Sequence, residues 1–210
     1  MAGVTGNYYT VEEYLWEEQR SEIKRDYYKG QVYAMAGGSA DYSRIAINLT
    51  TELTVALRGR DCEAFNSDLK VGIASAPSLN RKGRAKKPES EDFITYPDAS
   101  VVCGSLEYYK GDHYTIANPS LLFEVLSPST RNYDRSFKLE QYQKIPSLQA
   151  YVMIDSEQVR VECYTRLGSG QWLQQTLLNL DDVLTLEALG ISLPLKMLYE
   201  RVVFEADEEE

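Results

Sequence analysis

Two acidic residues in apolar surroundings are the first candidates for chemistry. Pro97-Asp98 opens the run YPDASVV, and Glu124 lies inside SLLFEVL, flanked by Leu121, Leu122, Phe123, Val125 and Leu126. A carboxylate left unpaired in an apolar strand is strongly disfavoured, so a metal ion, a cation or a donor network is expected beside it. A Pro-Asp strand start followed by a second acid in the next buried strand suits a divalent-metal hydrolase. In such a site carboxylates fix the ion and a nearby cation neutralises charge on the scissile phosphate. Lys138, on the helix predicted after the second strand, is the candidate cation. Asp134 lies four residues earlier and shares its helix face, and Gln141 lies near that face. Hard oxygen ligands without a His or Cys cluster favour Mg²⁺, with Mn²⁺ as a substitute.

Composition excludes other chemistries. His113 is the only histidine of the 210 residues, which removes HExxH zinc sites and every scheme needing two imidazoles; it falls in the loop-like GDHYT. Cys62, Cys103 and Cys163 are isolated and odd in number. They are expected to be small buried hydrophobes in a reducing, cytoplasmic chain, with neither a disulfide framework nor structural zinc. No apolar run is long enough to span a bilayer, so no membrane role is expected. The net charge of −10 opposes tight nucleic-acid binding. Five of the 32 acids lie in the tail EADEEE, however, and RKGRAKK (Arg81 to Lys87) gathers positive charge in one loop. That loop is either a DNA contact or a passive insertion. The 16 tyrosines offer stacking platforms for bases, or simply pack sheet faces with their hydroxyls toward water.

The elements that must position these residues follow from pattern. TVEEYLWEEQ reads as a helix capped by Thr10 with Glu13 closing a capping box. Asp26 to Met35 reads as a hairpin turning at Lys29-Gly30. Ser39 or Asp41 caps a helix to about Arg58, its core stripe being Ile45, Leu49, Leu53 and Leu57. Cys62 to Ile73, Tyr96 to Cys103 and Ser120 to Leu126 read as strands, with Ala74 to Ser90 a mobile loop. A helix then runs to about Lys144 and stops before Pro146. Leu148 to Asp155, Val159 to Arg166 and Gln171 to Leu177 form a strand series, and Leu193 to Arg201 a closing helix. With no repeat or linker, the expectation is one mixed α/β domain over 1–210, with a core at about 22–177 and an acidic tail at 205–210. The site belongs at strand ends.

The segments YTVEEYL, DYYKGQVYAMAGGSADYSRIAINL, SDLKVGI, YPDASVV, NPSLLFEVLSPSTRNYDRSFKLEQYQKIPSLQAYVMID and RVECYTR cover most of residues 8 to 166. Together they resemble the Uma-type restriction endonuclease family, a domain of unknown function in the PD-(D/E)XK nuclease superfamily. The resemblance implies a restriction-endonuclease-like core: a central mixed sheet flanked by helices, with extra N- and C-terminal strands. It implies Asp98 as the motif aspartate and Glu124 as the second acid. The superfamily's lysine, two residues after that acid, is replaced here by Leu126, and Lys138 takes the role from the next helix. The family's upstream glutamate corresponds to Asp26, its next glutamate to Gln31, and a histidine near the first core helix to Tyr42.

The leading expectation is a Mg²⁺-dependent DNA endonuclease, with Asp98 and Glu124 holding metal, Lys138 steadying water or phosphate, and Asp26 assisting. A homodimer is an accompanying possibility, drawn from the resemblance. The missing E-x-K lysine, the changes at Tyr42 and Asp26 and the acidic charge fit a second expectation, a degenerate nucleic-acid- or protein-binding module on the same fold. A two-carboxylate glycosidase is a poorer match for a small chain with two tryptophans. Asp68-Leu69-Lys70 is a further D-x-K with both polar side chains on one strand face, read either as part of the site or as a half-exposed strand.

Overall fold

The computed structural model describes residues 8–35, 37–75, 91–168 and 170–204. The chain forms two compact units, each assembled from separate stretches: residues 1–36, 68–96 and 107–117 in the first, and residues 37–67, 97–106 and 118–210 in the second. Most of the stretch expected to be a mobile loop, 76–90, lies outside the described residues, as does the acidic tail.

Numbering elements along the chain, the first unit holds α1 (Val11–Glu18), β1 (Arg25–Tyr28), β2 (Gln31–Ala34), β4 (Lys70–Ile73), β5 (Phe93–Thr95) and β7 (Thr115–Ile116). Its five strands lie in the order β2-β1-β5-β4-β7. The predicted capping box starts α1: the Glu13 N–H donates to Thr10 Oγ1 (3.1 Å) and the Thr10 N–H to Glu13 Oε2 (2.8 Å). Val11, Tyr14, Leu15 and Glu18 then fall on one buried face. Lys29 and Gly30 both have positive φ (50° and 81°), the backbone that a two-residue hairpin between β1 and β2 requires. β4 and β5 pair antiparallel. The segment joining them is pinched at its base by Asp92: Oδ1 accepts from the Ser75 N–H (2.9 Å) and Ser75 Oγ (3.1 Å), and Oδ2 from the Tyr109 hydroxyl (2.7 Å).

The second unit holds α2 (Ala40–Ala56), β3 (Cys62–Asn66), β6 (Ala99–Cys103), β8 (Leu121–Leu126), β9 (Ala150–Asp155), β10 (Val161–Arg166) and β11 (Trp172–Leu177). It also contains a small hairpin of β12 (Val183–Leu186) and β13 (Ile191–Pro194). The large sheet is mixed, in the order β11-β10-β9-β8-β6-β3. β8 and β9 are parallel and buried at every position, which explains why LLFEVL and AYVMID show no alternation. Ile45, Leu49 and Leu53 of α2 pack into the core of this unit with Val101, Leu121, Phe123 and Val152. After β8 come α3 (Arg131–Tyr133), a π-helical turn (Asp134–Lys138) and α4 (Leu139–Tyr142), and α5 (Leu195–Leu198) follows β13. The architecture is the α/β, restriction-endonuclease-like fold expected.

Three expectations are corrected. The strand read over Cys62 to Ile73 breaks after Asn66, and its halves join different sheets. The closing helix shrinks to Leu195–Leu198, because Ile191–Pro194 pairs with Val183–Leu186 instead. Cys62 and Cys103 are not separate thiols. They face each other across β3 and β6 with Cα atoms 3.9 Å apart and form a disulfide. Strand pairing brings together two cysteines 41 positions apart, a proximity their spacing does not reveal. The cysteine pattern therefore no longer argues for a reducing compartment. Cys163 is the buried free thiol expected of it. No helix among the described residues is long and apolar enough to cross a membrane.

Candidate active site

The sheet itself aligns the two acids. β6 and β8 pair antiparallel with Ala99 opposite Phe123 and Ser100 opposite Leu122. One more rung of that register sets Asp98 against Glu124 on one sheet face. Facing positions bring Cβ atoms within roughly 5 Å, and like charges placed so repel. Both side chains are nevertheless buried, and both are held by donors. Asp98 Oδ1 accepts from the Tyr42 hydroxyl, and Oδ2 from the Val125 N–H (2.7 Å). Glu124 Oε1 accepts from Lys138 Nζ (2.9 Å) and the Tyr142 hydroxyl (2.7 Å).

Lys138 reaches Glu124 from the helical segment after β8. Asp134, one turn before it, is its second partner, with Oδ1 3.4 Å from Nζ. Asp134 to Lys138 is the π-helical turn, in which the Leu139 N–H donates to the Asp134 carbonyl. Such bulges often occur at functional sites. Tyr142 lies edge-on to Tyr151 (centroids 5.0 Å apart), whose hydroxyl donates to the Asp134 carbonyl at 3.2 Å. Tyr42 is set by the start of α2: Ser39 Oγ accepts from its N–H (3.1 Å), and Gly38 leaves the space its ring fills. A Cβ on Gly38 would lie 2.2 Å from that ring.

Burial dominates the electrostatics. It pushes the Glu124 carboxyl well above its usual range, with Asp134 and Asp98 adding to the rise and Lys138 opposing it. Burial also raises Asp98, against the pull of the Tyr42 hydroxyl, the Val125 N–H and Lys138. Tyr42 is raised too, by burial first and then by Asp98 beside it, so its phenol stays protonated and acts as a donor. Three buried carboxylates thus share one buried ammonium. Among the described residues no group of three or more His, Cys, Asp or Glu is arranged to hold a metal. The oxygens that remain suit an ion taking one or two carboxylates and completing its shell with water and substrate phosphate, which is the habit of Mg²⁺.

Of the residues singled out in the sequence, Asp98, Glu124 and Lys138 come together. Asp134 joins them as expected of its helix face, while the Gln141 amide oxygen accepts from Lys144 (2.9 Å). Leu126 is core, at 1 % exposure. Asp26 is buried on β1 of the first unit. Asp68 and Lys70 do not share a face: Asp68 is exposed and pairs with Lys24 (2.8 Å), whereas Lys70 is buried with Asp112 3.7 Å away. His113 is exposed and lies against Tyr108. The hydroxyl donors were only partly legible. Tyr142 is signalled by its spacing of four from Lys138, while Tyr42 depends on contact across 56 positions.

Residues 11–196 match the Uma2 family, whose description reads "Putative restriction endonuclease". The chain belongs to the Uma2 family. Two uncharacterised proteins of Synechocystis are similar to it. One is 36 % identical over 92 % of this chain and 92 % of its own length, and the other 33 % identical over 85 % and 93 %. The fold is shared with the crystal structure of "a putative nuclease belonging to DUF820" from Anabaena variabilis. That likeness has a TM-score of 0.64 and 18 % identity, and covers 90 % of this chain and 98 % of the other. Family and fold together support a nuclease-like function for this Uma2 chain.

Proposed function

We propose that this Uma2 chain is a Mg²⁺-dependent endonuclease that hydrolyses phosphodiester bonds in DNA. The observation that carries the proposal is the gathering of three buried carboxyl groups, Asp98, Glu124 and Asp134, about Lys138, whose ammonium lies 2.9 Å from Glu124 and 3.4 Å from Asp134. A divalent cation supplies further positive charge. Asp98 and Glu124 would hold it, each carboxylate oxygen retaining lone-pair capacity beyond its present donor. Bound there, the ion would polarise the phosphate and acidify a water molecule. Tyr42 and Tyr142 orient the two carboxylates. Lys138 stabilises charge developing on the phosphate. Mn²⁺ is the expected substitute.

The test is cleavage of supercoiled plasmid with Mg²⁺ or Mn²⁺, for wild type, Asp98→Asn, Glu124→Gln and Lys138→Ala. Lys138→Ala should lower the rate by about 10²-fold or more, the scale of one electrostatic group, without weakening metal binding. Asp98→Asn and Glu124→Gln should lower both. Full activity in Lys138→Ala removes the lysine from the mechanism.

A second function, a degenerate nucleic-acid- or protein-binding module, is favoured by one observation: Asp98 already has donors in Tyr42 and the Val125 N–H, and Glu124 in Lys138 and Tyr142. Wild type that binds DNA or a protein and cleaves no nucleic acid with either metal would establish it.

A further inference from the structure

The Cys62–Cys103 disulfide stands at the open margin of the large sheet. β3 is an edge strand that pairs with β6 alone, and the bond joins the first residue of β3 to the last of β6. Asp98 precedes the other end of β6. At ~3.4 Å per residue it lies roughly 17 Å along the strand, so the disulfide is remote from the carboxylate cluster. Exchange of a disulfide begins with a thiolate reaching one of its sulfurs, so exposed disulfides are the labile ones. Cys62 and Cys103 are both half-buried, and both line a cleft of about 520 Å³ with Arg60, Asp61, Ser147 and Gln149. That volume falls within the range of small-molecule sites. The charged groups of the cleft are an opposed pair, Arg60 and Asp61, both exposed, and among the described residues neither is in an ion pair. The Arg60 guanidinium donates to the carbonyls of Leu189 (2.5 Å) and Gly190 (3.2 Å), which fix its position without neutralising it. Its other N–H groups can still take a carboxylate.

We propose that this cleft is a thiol–disulfide exchange site, which docks a zwitterionic thiol of the amino-acid or small-peptide class beside Cys62–Cys103. Arg60 receives the carboxylate of the thiol and Asp61 its ammonium, a pairing that an uncharged thiol cannot make. The thiolate sulfur then bonds to one cysteine sulfur. The protein disulfide breaks, and its electron pair leaves on the other cysteine as a thiolate, which takes up the proton the incoming thiol lost. A second molecule of the thiol attacks the mixed disulfide at the small-molecule sulfur and releases the remaining cysteine in the same way. Two thiols are thereby oxidised to one small disulfide, and Cys62 and Cys103 are reduced to two thiols. Opening the bond removes the covalent stitch between the edge strand β3 and β6. The site is independent of the nuclease reading, since it uses none of the groups around Glu124.

The test uses the full oxidised chain and two probes: reduced glutathione, which carries carboxylate and ammonium, and 2-mercaptoethanol, which carries neither. Alkylation of the released thiols followed by peptide mapping reads the rate of opening and the cysteine that holds the adduct. Each rate is divided by the rate for the same thiol on the chain unfolded in urea, which cancels the intrinsic reactivity of the probe. Glutathione should form a mixed disulfide at Cys62 or Cys103 of the folded chain, with a rate that saturates as its concentration rises. Its folded-to-unfolded ratio should exceed that of 2-mercaptoethanol by about tenfold, the scale of one charge-assisted hydrogen bond. Arg60→Gln and Asp61→Asn should each reduce that preference. Asp61→Asn changes one exposed side chain and should keep the wild-type melting curve, so it decides the matter if Arg60→Gln folds poorly. A disulfide that opens only after unfolding overturns the proposal. So do equal ratios for the two thiols, or a preference for glutathione that Asp61→Asn retains in full.

Discussion

Replacing Lys138 with Met tests the charge arrangement of the site before any substrate is known. The Lys138 ammonium lies 2.9 Å from Glu124 and 3.4 Å from Asp134, and the three side chains are 5 %, 4 % and 3 % exposed. At an effective dielectric of ~20, each contact is worth about 5 kcal/mol of gross attraction, most of it offset by desolvation. Methionine fills the stem's volume but leaves two facing buried carboxylates without a cation. Removing one partner of a buried pair typically costs about 3–5 kcal/mol, and that is the expected loss here. Glu124→Gln should behave differently. It keeps an acceptor for Tyr142 and Lys138, leaves the lysine paired with Asp134, and removes one of three like charges, so its cost should stay below about 1 kcal/mol. Urea denaturation followed by circular dichroism at neutral pH, without divalent metal, measures both. Refutation is a Lys138→Met variant within about 1 kcal/mol of wild type, or a Glu124→Gln variant as damaged as Lys138→Met; either outcome means the cluster is not short of positive charge.

Further outcomes follow from the same geometry. Mg²⁺ or Mn²⁺ should raise the melting temperature of wild type, by the equivalent of about 2.7 kcal/mol at a hundredfold excess over the dissociation constant, and not that of Asp98→Ala or Glu124→Ala; equal shifts in all three would mark the effect as nonspecific. Gly72→Ala should destabilise the first unit by about 1–3 kcal/mol in a thermal or urea melt, because the new Cβ would lie 2.3 Å from the Tyr109 ring. Burial pushes the Asp92 carboxyl up, but the Ser75 N–H, the Tyr109 hydroxyl and Lys110 together hold it below its usual range. Its folded pKa being depressed, it contributes stability above its unfolded pKa of about 3.9, and that contribution fades as pH falls through the lower folded value. Asp92→Asn should therefore be less stable than wild type at pH 7, with the gap closing below about pH 4 in paired urea titrations; a gap independent of pH would show that charge is not the cause.

Much of this fold was legible where one segment carries its own instructions. The Thr10-Glu13 box, the Lys29-Gly30 turn and the Ile45-Leu49-Leu53 stripe each specify local structure through neighbours three or four residues away. The apolar runs around Glu124 and Val152 announced strands, while their parallel pairing came from the structure. What stayed hidden depends on distant partners. Cys62 finds Cys103 only through the pairing of β3 with β6. The break between Asn66 and Lys70 reflects two sheets competing for one β-prone stretch, and Ile191–Pro194 is a strand only because Val183–Leu186 lies beside it. In the site, the meeting of Asp98 and Glu124 was inferable from a strand start and a buried acid. Tyr42 was reached only through the resemblance, at the place of the family's histidine, since nothing in ADYSRIAI itself separates a site hydroxyl from a surface one.

The Asp92 clamp makes the connection between β4 and β5 separable from what it joins. Ile73 is registered with Phe93, and Ser75 is bonded to Asp92, so chain entry and exit are fixed by groups outside 76–90. For any flexible connection between two points already held together, closure entropy changes by only about 0.6 kcal/mol for each doubling in length. The strand register on either side is thus held by Ile73, Ser75, Asp92 and Phe93 themselves, and exchanging residues 76–90 for a short Gly-Ser bridge should leave it undisturbed.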